Sequence, residues 1–146
     1  MLINKNDLPL VAEDFMNDVH FEDVEIINNL YEKLLTYIND STKENKNIFI
    51  DNYQEWYDHT VAHFKGEEEK MLELNFPPYM MHKSEHERCL EQMRLILEYF
   101  IKNEDSQILK NYFEIDLINW LINHIHTMDT VTAMFFKTGQ SPCHAH

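Results

Sequence analysis

The chain has 146 residues, with 26 acidic side chains against 12 basic ones and a formal net charge of -14. That length suits one domain with a real core, and without concentrated positive charge a phosphate-backbone partner such as nucleic acid is not expected. No run of about 18 apolar residues offers a membrane span, and no basic-then-apolar leader opens the chain, so a cytoplasmic protein is the expectation. Two glycines and four prolines among abundant leucine, isoleucine, glutamate and lysine favour long helices over a turn-rich β architecture. Cys89 and Cys143 have no spacing that suggests a disulfide framework or a zinc-cysteine site, so reduced thiols are expected.

An arm over 1–11, containing Leu8-Pro9-Leu10, leads into the first helix, predicted over 12–39. Its inward stripe reads Met16, His20, Asp23, Ile27, Leu30, Leu34 and Ile38, in the steps of three and four that an amphipathic helix requires. Asp40 and Ser41 break and recap it. The second helix, predicted over 42–73, carries Phe49, Tyr53, Trp56, Thr60, His63, Glu67, Met71 and Leu74 on one stripe. Asn75-Phe76-Pro77-Pro78 ends it, since proline lacks a donor and disfavours helix in the residue before it. The third, predicted over 80–102, aligns His82, His86, Cys89, Met93, Ile96 and Phe100. After a polar turn at Asn103 to Ser106 comes the fourth, over 106–137, with Gly139 as its C-terminal cap. A bundle over 12–138 and a tail over 139–146 complete the division.

Short connections make successive helices antiparallel neighbours, so the fold class is all-α, an up-down-up-down four-helix bundle. In that arrangement the start of helix one, the end of helix two, the start of helix three and the end of helix four share one end. His20, His63, Glu67, His82, His86, His124 and Asp129 then lie at depths that agree to roughly 10 Å at a rise of about 1.5 Å per residue. His63 with Glu67, and His82 with His86, are i, i+4 pairs that can address one metal site. His124 and Asp129 are i, i+5, about 140° apart on an ideal helix, and share the site only if the turn between them widens.

This ordered set, with Trp120-Leu121 just before His124, resembles the ligand pattern of the hemerythrin-like domain family, in particular its bacterial single-domain members, and the resemblance spans nearly the whole chain. It implies a bundle holding a non-haem di-iron centre that reversibly binds dioxygen. By the resemblance His82, His86 and His124 saturate one iron, and His20 and His63 hold the other. Glu67 and Asp129 bridge the two ions together with an oxo or hydroxo group, which leaves an open position on the two-histidine iron. Leu121 matches a pocket-lining leucine of the family. Asp23 departs from the pattern, because oxygen-carrying relatives generally place an apolar side chain there. It accepts a ligand histidine N–H from outside the coordination sphere, or enters the oxygen pocket and hastens autoxidation, or belongs with Glu22 and Glu25 to a mostly solvated face if the helix phase is one step off.

Other strings carry less. His82-Lys83-Ser84-Glu85-His86 matches H-x-x-E-H, the inverted zincin motif. No Glu-x-x-His occurs, which excludes the ferritin-like di-iron pattern. Cys143, His144 and His146 form a short tail that could hold a peripheral metal ion. His59 and His126 read as facing away from the stripes, and Tyr53, Trp56 and Met93 as core rather than pocket. The expected role is oxygen storage, delivery or buffering by a binding protein rather than an enzyme. The alternatives are a redox or protective protein acting on oxygen, peroxide or nitric oxide or supplying iron for cluster repair, and a sensor working through a partner.

Overall fold

The computed structural model describes residues 1–139; the Cys143, His144 and His146 tail lies outside them. Four long helices account for most of it: α1 (Asp14–Asn39), α2 (Lys43–Glu73), α3 (Tyr79–Asn103) and α4 (106–138). They form the antiparallel bundle, with no strand among the described residues. The boundaries follow from local chemistry. Thr42 caps α2, its Oγ1 accepting the Asn45 N–H at 3.1 Å. Asn75 takes a positive φ of 55° before the two prolines, and Phe76 tucks back against Phe135 with ring centroids 5.0 Å apart. Glu104, also left-handed, closes α3 by donating its N–H to the Phe100 carbonyl, and Asp105 caps α4 by accepting the Gln107 N–H. Gly139, at φ 71°, ends α4 as expected, donating to the Phe135 carbonyl at 2.7 Å. Thr42→Ala removes a solvent-facing N-cap bond and is expected to cost about 1 kcal/mol in urea denaturation, with the slope unchanged.

The arm is packed rather than loose. The Asn28 amide accepts from Ile3 N and donates to Ile3 O, and the Asn17 amide does the same for Val11, so two side chains of α1 grip the arm backbone. Ile3, Leu8 and Val11 are thereby buried.

Away from the histidines, the core is aromatic. Phe113 is fully buried among Tyr31, Tyr53, Trp56 and Tyr112, and Phe100 lies edge-on to Tyr37 and Phe49. Tyr53 satisfies its hydroxyl on the Met93 carbonyl at 2.6 Å. Two ends of the predicted stripes fall outside this core: Ile38, in the last turn of α1, and Leu74, just past α2, are both exposed, and the buried places there are taken by Tyr37 and by Met71 and Phe76.

The fourth helix is not uniform. It widens into π turns at Tyr112–Leu117 and at Ile125–Asp129, and at the second the Thr130 N–H bonds the carbonyl five residues back, at Ile125. The Thr130 hydroxyl donates to the same oxygen at 2.8 Å. This is the widened turn that His124 and Asp129 need in order to face one way.

Candidate metal centre

At one end of the bundle each helix turns acid or imidazole side chains inward: His20 from α1, His63 and Glu67 from α2, His82 and His86 from α3, and His124 and Asp129 from α4. Aromatic plates hold two of the rings. Phe64 stacks on His86 with centroids 3.8 Å apart and planes 3° from parallel, and Trp120 stacks on His124 at 4.5 Å and 11°.

Ligand atoms of Glu67, His82, His86, His124 and Asp129 all lie within 4.8 Å of one another. The two carboxylates divide their oxygens between two sides. Glu67 Oε1 stands 2.9 Å from His82 Nε2 and 3.7 Å from His86 Nε2, while its Oε2 is 3.4 Å from His63 Nε2. Asp129 Oδ1 lies 3.0 Å from His82 Nε2 and 3.2 Å from His124 Nε2, and its Oδ2 is 3.0 Å from His20 Nε2. His20 and His63 therefore face the far oxygens of the same two acids whose near oxygens meet the other three histidines.

The donor set fits metal ions. Among the described residues, the buried side-chain nitrogens and oxygens with no hydrogen-bond partner belong to His20, His63, Glu67, His86, His124 and Asp129. Such atoms cost about 1–3 kcal/mol each if left bare, yet here they crowd together without lining up as donor and acceptor. Ligand atoms about 2.1 Å from an ion and at right angles stand about 3.0 Å apart, close to the separations of 2.9 to 3.2 Å seen here.

Burial and carboxylates compete for the protons of the metal-free cluster. Burial opposes a charge on His63, but Asp23 and Glu67 outweigh it and push its pKa up to about 10. For His82 burial is likewise overridden, by Asp129 and Glu67, and its pKa rises to about 9. Burial, helped by neighbouring His82 and His124, drives His86 down to about 2. Burial works against ionised Asp129 as well, but His124, His20 and His82 hold it well below the usual carboxylate range. Because the raised pKa values of His63 and His82 keep protons on them at neutral pH that must be shed to ligate, metal uptake between pH 6 and 8 is expected to release at least about two protons per chain, with more from any water that becomes a bridging hydroxide, and affinity to rise with pH. Uptake followed calorimetrically in buffers of different ionisation enthalpy measures that number; zero protons contradicts it.

Outside the ligand atoms, His82 Nδ1 faces Thr132 Oγ1 at 2.7 Å and His86 Nδ1 faces Glu68 Oε2 at 2.8 Å. His63 Nδ1 stands 3.0 Å from Asp23 Oδ2 in an ion-pair contact. The other oxygen of Asp23 meets His59 Nε2 at 3.0 Å. Burial raises the energy of the Asp23 carboxylate, and His59 and His63 together hold its pKa below the ordinary value. Both Asp23 oxygens are thus engaged by imidazoles.

A cavity of about 30 Å³ adjoins His20, His63, Asp129 and His124, but not His82 or His86. Leu121 lines it, with Ile27, Phe64, Cys89, Leu117 and Trp120, and Asp23 forms part of its wall. Trp56 and Met93 line it too, so these two are pocket as well as core, whereas Tyr53 is core alone.

Three residues escaped the sequence reading: Glu68, Thr132 and His59. Glu68 is hidden in the run Glu67-Glu68-Glu69, and Thr132 comes inward only because the π turn before it resets the register. His59 does not face away; it is half-buried on Asp23, and its position one turn before His63 was the available signal. His126 is exposed, as read. Glu85, the acid of the H-x-x-E-H string, bonds Arg88 and Trp120 instead of joining the histidines.

A four-helix bundle that buries histidines and shared carboxylates at one end defines a class of metal-binding bundle proteins. Within that class the chain belongs to the hemerythrin family: the model of the hemerythrin HHE cation binding domain matches residues 12–135. It is similar to the bacteriohemerythrin of Aquifex aeolicus (strain VF5), 26% identical over 133 residues that cover 91% of this chain and 96% of the relative. The bacteriohemerythrin of Stenotrophomonas maltophilia (strain R551-3) is also 26% identical over 133 residues, covering 91% of this chain and 80% of that protein. No solved structure matches the chain significantly. No helix among the described residues is long and apolar enough to cross a membrane.

Proposed function

We propose that the protein is a non-haem di-iron protein that reversibly binds dioxygen, storing, delivering or buffering it, and acts as a binding protein rather than an enzyme. His82, His86 and His124 would hold one iron, His20 and His63 the other, and Glu67 and Asp129 would bridge them with an oxo or hydroxo group. The observation that carries this reading is the position of the cavity. It touches both His20 and His63 but, of the other three histidines, His124 alone, and its size suits a diatomic molecule.

When bound, the iron pair supplies the electrons that a dioxygen ligand draws on. The chain supplies the surroundings. Leu121, Ile27, Phe64, Met93 and Leu117 keep bulk water from the cavity. Phe64 and Trp120 fix the planes of His86 and His124, and the outer contacts of Thr132, Glu68 and Asp23 fix which nitrogen each ligand ring turns inward.

One observation favours a second reading, a redox or protective protein reacting with oxygen, peroxide or nitric oxide: a carboxylate, Asp23, stands in the cavity wall. The two readings separate when the iron-loaded protein is reduced anaerobically and dioxygen is admitted. An oxygen-dependent visible absorption band that vanishes under vacuum and returns with oxygen supports the carrier. Immediate irreversible oxidation supports the redox protein, and failure to take up iron overturns both.

A further inference from the structure

Each side of the site has outer contacts of its own. On the side of His82, His86 and His124, two separate residues back the ligands, Thr132 behind His82 and Glu68 behind His86. Among the described residues, His124 Nδ1 on that side and His20 Nδ1 on the other have no hydrogen-bond partner, and Asp23, in ion-pair contact with His63 Nδ1, is the outer carboxylate on the side of His20 and His63. Outer support on that side therefore comes from a single buried acid from α1, acting on His63.

A buried carboxylate needs a partner on each oxygen to remain ionised and fixed. Asp23 is 7% exposed, and its two oxygens are taken by two histidines one turn apart on α2: His63, which faces the site, and His59, which does not. His59 is itself steadied from the surface, with Nδ1 3.8 Å from Glu22 Oε1. The series Glu22, His59, Asp23, His63 thus alternates between α1 and α2 and ends on one ligand.

We infer that Asp23 and His59 form a positioning pair that retains the metal ion on the His20 and His63 side, so that disrupting the pair loosens that ion while leaving the three-histidine ion in place. This rests on the two-ion reading above. It also gives a role to the acid that departs from the family pattern, and to a histidine outside that pattern. Asp23 acts through His63 and needs no contact with dioxygen.

The test is the release of iron from the loaded, reduced protein to excess ferrous chelator, followed over time, in wild type, Asp23→Leu, His59→Ala and Glu68→Ala. Wild type is expected to give two phases of one ion each. Asp23→Leu and His59→Ala are expected to speed one phase by about 10- to 100-fold and leave the other within about twofold, the scale usual for an outer partner of a metal ligand. Glu68→Ala should speed the opposite phase. Asp23→Asn, which keeps an accepting oxygen for His63, should fall between wild type and Asp23→Leu. Equal acceleration of both phases in Asp23→Leu or His59→Ala overturns the inference by showing a general loosening of the bundle, and unchanged release in both variants also overturns it. A wild type that holds only one ion overturns the two-ion reading and this inference with it, a result distinct from two ions whose release ignores the pair.

Discussion

Asp129→Ala is expected to weaken metal binding by more than about 100-fold, because all three of its histidine contacts are within 3.2 Å, whereas two of the three that Glu67 makes are longer, at 3.4 and 3.7 Å. Its oxygens stand 3.0 to 3.2 Å from His82, His124 and His20, spanning both sides of the site. Loss of a mere outer contact to a ligand costs about 10- to 100-fold, and a direct donor to both ions must exceed that. The effect reaches stability, since an ion that binds only the folded chain adds its binding energy to folding. A hundredfold weaker affinity removes about 2.7 kcal/mol of that increment under saturating metal, or about 5–10 °C of melting temperature in a domain of this size. Chelator competition gives the affinity, and calorimetry with and without iron gives the increment. Comparing the metal-free forms removes the cost of rearranging the histidines. An affinity within threefold of wild type would remove Asp129 from the ligand set.

The same residue shows what the sequence can and cannot express. Stripes of apolar residues at steps of three and four, broken at Asp40-Ser41 and at Pro77-Pro78, carry enough information for four helices and their antiparallel order. The i, i+4 pairs on α2 and α3 need only regular helix geometry to face inward. The i, i+5 step from His124 to Asp129 signals that a turn must widen, but the location of the widening depends on backbone bonds such as that from Thr130 to the Ile125 carbonyl, which side-chain pattern does not encode. The other π turn, at Tyr112–Leu117, has no comparable mismatch to announce it. Thr132 and Glu68 were illegible for related reasons: one depends on the register after a π turn, the other on which of three consecutive glutamates turns inward. His59 was misread because a stripe is a line on a helix, whereas Asp23 reaches α2 from the side and meets the flank that His59 and His63 share. The arm, expected only to precede the bundle, is held by the amides of Asn17 and Asn28, and polar side chains on a helix do not advertise that they will pair with backbone.

Leu121→Ala bears on the dioxygen reading itself. Leu121 is 7% exposed and lines the cavity beside His20, His63 and Asp129. At about 30 Å³ the cavity is large enough for a water, but its lining is mostly apolar, so a water that entered would find its polar partners mainly on the ligand side. Truncation removes three carbons, enlarges the space and places a water within reach of the site, where it can deliver the proton that an apolar wall withholds. The oxygen-dependent absorption band of the iron-loaded protein is therefore expected to decay at least about tenfold faster in Leu121→Ala. The fold should lose about 2–5 kcal/mol, the usual cost of this truncation in a core. Leu121→Met keeps the volume and the apolar character, at a cost below about 1.5 kcal/mol, and should preserve the lifetime of the band. If lifetime tracks stability rather than the wall, Leu121→Ala and an equally destabilising substitution in the distant aromatic core, such as Phe113→Leu, will shorten it alike. If the wall excludes water as the structure suggests, only Leu121→Ala will.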